Sequence, residues 1–477
     1  MKFSAQILST EEQTRVHKQS LRIMEEVGLR FHGQKALSIL RRHGAQVDED
    51  NKIAKIPRAL VEQALATTPN SFVLGARNPR YNYPLPSQES RYCMDGTAAF
   101  AQDFETGERR YGTRKDIENG MRVFQELDLG IMAWPPVTAS DAPAASRALH
   151  EFLTMAQFCS KHGQHELHTT RQVPYLIEGL TAILGGEDEF RQRKAYSLIY
   201  CPVAPLTHDG EMLDAYLELG EFEMPVMIMP MPVPGSTGPA SLFANLSLAN
   251  AEALSSIVVF QLAHPGRPLI YSSAVGTLDF SSGGFLGGTA EMGLMSGALT
   301  EMGRFYNLPT TSAGCTADAK EPGAQAVLEK LITIIPPLLA GSDIIVGFGE
   351  IEGDQLQVLE QYVVDNEIAH HCQRLFEGID TAPEKELFED IVKVGPGGHF
   401  LTTRASRLAP RSGEFYISKL FDRHTREAWL ELGKPSLYTN ARQKVQEILA
   451  SPQVDPLADK VIGQIEAILH KADKELA

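Results

Sequence analysis

The stretch GFGEIEGDQLQVLEQ, residues 347–361, follows an apolar run, Ile344, Ile345 and Val346, and leads into VVDNEI at 363–368. A short apolar strand feeds a glycine-punctuated loop of acids and amides, which opens into a helix with its own acidic face. That is one β/α unit read at the mouth of a barrel. Working back from it, apolar strands are expected to start near Gly130, Gln164, Ser197, Pro225, Pro268, Pro309 and Asp343, about thirty to forty residues apart, with a helix-length segment in each gap. The cadence predicts an α/β fold, a (β/α)8 barrel of the TIM type. The seven starts leave an eighth strand to find, and residues 391–402, around GPGGHF, are the expected place. A doubly wound open sheet is the alternative, but no GxGxxG follows a first strand.

Residues 1–112 read as an N-terminal α+β extension: a helix capped by Ser9 or Thr10 and ending at Gly28, two more helices, then short strands with a turn at Glu105, Thr106 and Gly107. Thr113 is expected to cap the first helix of the barrel domain, 113–412, and residues 413–477 form a C-terminal helical segment.

The 477 residues, 43% hydrophobic, suffice for a large core. With 60 acidic against 44 basic side chains the net charge is −16, which argues against nucleic acid or an anionic membrane as partner and mildly favours cationic ligands. Five scattered cysteines without a CxxC pair indicate neither disulfides nor a cysteine zinc site, and fit a reducing cytoplasm. The start, MKFSAQILSTEEQ, lacks an apolar leader, and no membrane span is expected.

The side chains at the C-terminal ends of barrel strands converge at one mouth, and here they are rich in aromatics. Trp134, Tyr200, Tyr271 and Phe348 lie at strand ends, and Phe100 in the N-terminal hairpin is placed to cover the opening. Such rings hold a quaternary ammonium, which cannot donate a hydrogen bond, through their faces; they also simply fill the upper layer of a barrel. Glycine loops at Gly283, Gly284, Gly287 and Gly288, at Gly349 beside Gln355, and at 395–398 let a large flat ligand approach the backbone, or make tight turns. HELH at 165–168 lies in an expected strand, so His165 and His168 face opposite ways and no metal is expected there. His370, His371 and Cys372 diverge around a helix, where Asp365, Glu367 and His371 are expected to form polar pairs within it. No nucleophile elbow and no Walker motif is present. A barrel lyase or hydrolase using Glu166, His168 or Asp318 is one alternative function; a non-catalytic binding subunit is another.

Longer strings carry more. EEVGLRFH from residue 25, GGTAEMGLMSGALTEMGRFYNLPTTSAG from 287, DAKEPGAQAVLEKLITIIPPLLAGSDIIVGFG from 318, VVDNEI from 363 and GPGGHFL from 395 resemble the trimethylamine methyltransferase superfamily over nearly the whole chain. Its founding members carry pyrrolysine just before the segment reading VLEQYVVDNEI here, where this chain has Asp354 or Gln355. The chain therefore resembles the branch without pyrrolysine, which demethylates glycine betaine and related quaternary amines. The resemblance implies the barrel, a cytoplasmic setting and a homo-oligomer. It also implies methyl transfer from a quaternary amine, glycine betaine first, to cob(I)alamin, free or on a partner corrinoid-binding protein, with no metal bound directly by this chain. Catalysis would be by positioning, and His399 and Arg404 are the expected donors to the betaine carboxylate.

Overall fold

The computed structural model describes residues 5–477, so the first four residues of the stretch read for a leader lie outside it. Eight parallel strands form one sheet: β1 Arg91–Met94, β2 Gly130–Ala133, β3 His162–His165, β4 Tyr196–Tyr200, β5 Val226–Ile228, β6 Leu269–Tyr271, β7 Thr311–Ala313 and β8 Ile344–Phe348. They are ordered β6-β5-β4-β3-β2-β1-β8-β7, and a parallel bridge from Tyr271 to Thr310 joins the two ends. Each strand is followed by a helix that returns outside it: α1 Arg114–Gln125, α2 Arg147–Phe158, α3 Val173–Leu184, α4 Gly210–Glu218, α5 Leu242–Ala263, α6 Ala290–Phe305, α7 Ala324–Ala340 and α8 Leu359–Glu377. The fold is the expected (β/α)8 barrel, and the open sheet is excluded by its closure.

The missing strand lies upstream of the other seven. Residues 391–402 are helical at Phe388–Val394 and then turn through the glycines, while Arg91–Met94 pairs with β8 on one side and β2 on the other. The first strand was hidden because a hairpin, Phe100–Gln102 with Arg109–Tyr111, intervenes before α1 and makes the region read as an extension. The barrel thus begins inside residues 1–112.

Local signals account for the helix starts. Ser9 and Glu12 form the capping box of the first helix, Thr10–Arg22, and Thr113 forms another with Asp116 at α1. Ser241 and Thr289 cap α5 and α6. Helix α5 is long and apolar enough to cross a membrane, yet it is buried, lying between the barrel and the N-terminal helices Thr10–Arg22 and Arg58–Thr67. Ser20 fastens that contact, donating to the Ser247 carbonyl at 2.8 Å while accepting from Asn250 at 2.8 Å. A helix covered on all sides is apolar on all sides.

The stretch quoted first forms a hairpin, Glu350–Ile351 with Leu356–Gln357, beyond the end of β8. It pairs with Phe100–Gln102 to make a four-stranded sheet beside the mouth.

Candidate functional site

Directly after the eight strands stand Asp95, Trp134, Glu166, Cys201, Met229, Ser272, Gly314 and Gly349, with no arginine or lysine among them. Beneath them the interior is lined by small polar groups. Thr311 donates to Ser272 at 2.6 Å, and Gln164 reaches across the barrel to Cys93 at 3.6 Å, its own carbonyl oxygen buried without a partner.

Three carboxyl groups meet between the ends of β1 and β8. Asp95 follows β1 directly; Glu350 and Asp354 come from the hairpin. Strand β8 has a bulge between Val346 and Phe348, where Gly347 has φ +143° and a Cβ would lie 2.0 Å from the Gly314 carbonyl oxygen. A bulge at a barrel rim re-aims the residues that follow it. The hairpin tip is strained: Glu352 and Asp354 have φ 64° and 62° on either side of Gly353. Glu350 is wholly buried and neither of its oxygens has a hydrogen-bond partner; Asp354 Oδ1 also has none. Burial, then the charges of Asp95 and Asp354, push the Glu350 carboxyl well above the usual carboxylate range. Asp354 is raised strongly for the same reasons, burial first and then Asp95, with which it shares a hydrogen bond; burial also raises Asp95. Three acids this close cannot all ionise unless a cation joins them.

Lys330 of α7 lies behind the acids but is already committed. Its ammonium donates to Asp365 of α8 at 2.9 Å and to the carbonyls of Cys315 and Gly347 at 2.7 and 2.9 Å. Burial opposes its charge, but Asp365 outweighs burial and keeps Lys330 above the ordinary lysine value. Asp365 also accepts from the Gly349 amide at 2.8 Å, so this pair fixes the backbone from which Glu350 projects. Asp365 was expected to pair within its own helix; it pairs with α7 instead, while Glu367 and His371 do form the helical pair, at 3.2 Å.

Of the expected cage, Trp134 stays at the mouth. Its indole lies against Gly96, where a Cβ would come within 2.2 Å of the ring, and its Nε1 is buried without a partner. Tyr200, Tyr271 and Phe348 turn away. The Tyr200 hydroxyl bonds His208 at 2.9 Å and its ring packs on Phe260 of α5; Tyr271 donates to Asn250 of α5 at 2.8 Å; Phe348 stacks on Tyr92 at 4.8 Å. All three fill the layer between strands and helices. Phe100 is half-buried in the hairpin sheet beneath the Arg109 guanidinium, 3.3 Å from its ring centre, with Tyr111 stacked at 4.9 Å, so its faces are occupied. His399 and Arg404 are exposed in the segment after α8 and do not join the mouth.

The loops differ in kind. Gly283 and Gly284 tip an open hairpin, Thr277–Leu278 with Phe285–Leu286, on which Phe280 is 77% exposed. Gly287 and Gly288 instead clamp Asp318, each amide donating to its carboxylate at 2.8 Å, which removes Asp318 from the acid/base candidates. Gly349, φ +94°, lies against the Tyr362 ring, and Gln355 is exposed at the hairpin turn, its carbonyl accepting from Phe100. His165 turns to Glu151 of α2 at 3.0 Å, Glu166 is half-buried at the mouth and His168 is exposed. Asp95, Glu350 and Gln164 escaped the sequence reading. An acid directly after a short apolar strand was the available signal for Asp95.

A barrel whose mouth gathers acids around one indole, with no free cation and no nucleophile, is built to hold a small cation for chemistry performed by a second reactant. The comparisons agree with that class. The family model described as trimethylamine methyltransferase (MTTB) matches residues 2–477, and the chain belongs to that family. It is 32% identical to a trimethylamine methyltransferase of Methanosarcina mazei over 98% of this chain and 95% of the relative. It is 31% identical to the glycine betaine methyltransferase of Desulfitobacterium hafniense, over 98% of each. The crystal structure of the monomethylamine methyltransferase of Methanosarcina barkeri superposes with a TM-score of 0.55, at 11% identity, over 94% of this chain and 90% of that one, and shares the fold.

Proposed function

We propose that the protein transfers a methyl group from a quaternary amine to the cob(I)alamin of a corrinoid protein, with glycine betaine as the first substrate to test. The observation that carries this reading is Glu350, buried with both oxygens unpartnered beside Asp95 and Asp354. A cation placed among them would satisfy acids that nothing in the chain satisfies. Resemblance places the founding members' pyrrolysine at the hairpin tip, and here the tip presents Asp354 to the mouth.

Transfer to the acceptor breaks one C–N bond, and the bonding electron pair returns to nitrogen, so a quaternary ammonium leaves as a neutral tertiary amine without needing a proton. The reduced corrinoid supplies the nucleophilic electron pair. The chain's part is to orient the methyl group and hold the cation between Trp134 and the acids. The open hairpin at Gly283 and Gly284, with exposed Phe280, together with half-exposed Met231 after β5, offers an apolar rim to the incoming partner.

A second reading, a quaternary amine without a carboxylate such as choline, is favoured by the lack of arginine or lysine directly after any strand. One assay separates the two. Purified protein, cob(I)alamin and either amine are mixed without oxygen, and the cob(I) absorbance is followed. Its loss with dimethylglycine formed from glycine betaine supports the first reading; loss with choline alone supports the second. Persistence of cob(I) with every quaternary amine, a corrinoid protein being present, refutes both.

A further inference from the structure

The chain leaves the barrel at Glu377, the end of α8 and the side away from the mouth, and forms no long helix again until Leu437–Ala450. Between them only Leu420 is buried. Yet this segment holds twelve of the twenty-four large apolar side chains exposed among the described residues, the other twelve being scattered over the rest of the chain. Phe388, Val392, Leu401 and Phe415 are 65, 60, 80 and 62% exposed. At about 100 Å² of exposed surface apiece the segment shows roughly 1,000 Å² of apolar area, against about 300–600 Å² for the largest patch of a typical monomer. Its short helices, Phe388–Val394 and Arg404–Leu408, do not close on each other and leave a groove of about 510 Å³ between Phe388 and Leu408.

We propose that residues 378–433 are an arm that packs on a second copy of this chain. Three observations choose that occupant. The apolar area is of the size that permanent interfaces bury, and a second copy is always present, whereas a methyl acceptor must leave after each turnover; this clause alone rests on the proposed reaction. Residues 391–413 carry Lys393, Arg404, Arg407 and Arg411 and no acid, in a chain of net charge −16, so the acidic surface of another copy is its complement. The arm is also held at its base, where Arg374 donates to the carbonyls of Gly378 and Glu414 at 2.9 and 2.6 Å, and Lys385 pairs with Glu414 at 2.9 Å. It is therefore presented in a fixed position, and covering its far side leaves the mouth open.

The test is the mass of the full-length protein in solution by light scattering after gel filtration, at micromolar concentration. The expected mass is a multiple of the chain mass, falling to a single copy in Phe388→Asp/Leu401→Asp with the melting temperature of the remaining barrel kept. Should that variant fail to fold, zero-length cross-linking of an equal mixture of ¹⁴N- and ¹⁵N-labelled wild-type protein decides: isotope-mixed peptides joining Lys393 to an acid of another copy are expected. A single-copy mass for the wild type, or a multiple that the double variant leaves intact without mixed cross-links at the arm, overturns the proposal. So does a single copy that gains mass only when a corrinoid protein is added, since the arm would then serve that partner.

Discussion

Replacing Glu350 by glutamine keeps the shape of the site and removes one ionisable group, so the cost should appear in binding and in its pH dependence. A cation about 4 Å from an ionised Glu350 gains about 4 kcal/mol at an effective dielectric of 20. Against this stands the cost of ionising an acid held above its usual range, about 1.4 kcal/mol for each unit its pKa lies above the working pH. The difference, roughly 1–3 kcal/mol, corresponds to a five- to hundredfold weaker affinity in Glu350→Gln. The sign with pH follows from the raised pKa in the empty site. Glu350 is protonated when the site is empty and gives up its proton when the cation arrives, so affinity rises as pH climbs towards the raised pKa and levels off above it. Asp95 and Asp354, raised as well, add to the slope and leave some of it in the variant. Calorimetry with tetramethylammonium, a cation without a carboxylate, run in two buffers of different ionisation enthalpy, reads both affinity and proton release. Glycine betaine should show less of the slope, because its own carboxylate can accept a hydrogen bond from an acid that stays protonated. A wild-type affinity that does not change with pH, or a variant with the same slope and affinity, would refute the argument.

Two further substitutions probe the neighbouring groups. Trp134→Ala should weaken amine binding more than tenfold, whereas Phe348→Ala, stacked on Tyr92 in the helix layer, should leave affinity near wild type and cost about 3–5 kcal/mol of stability; equal binding losses from the two would put Phe348 back in the cage. Lys330→Met strands the buried Asp365 and should cost about 3–5 kcal/mol in denaturant unfolding, with part of the loss recovered in Lys330→Met/Asp365→Leu. A single variant as stable as wild type would show that the pair does not hold the β8 loop.

What could be read from the sequence, and what could not, divides along one physical line. The repeat of strand and helix was legible because each β/α unit carries its own apolar run and its own cap, as at Thr113 and Thr289. The direction of each side chain was not, because strands covered on both faces show no alternation of apolar and polar residues. Tyr200 and Tyr271 read as mouth residues from their place at strand ends, but a shift of one residue in parity carries a ring from the lumen to the helix layer. The parity was written elsewhere. Gly163 has no side chain where Met155 of α2 and Tyr196 of β4 press on it, so Gly163 faces outward and its neighbour Gln164 faces in. Parity passes from strand to strand through the register: His165 lies opposite Leu198, His165 faces α2, and Tyr200, two residues beyond Leu198, must face out with it. Glu350 stayed hidden for a different reason, since the bulge at Gly347 interrupts that parity at the point where the site is built. The first strand was lost to an inserted hairpin, yet Asp95 stands where such a strand delivers its last residue, and the acid it supplies is the one that makes Glu350 and Asp354 a site rather than two isolated carboxyls.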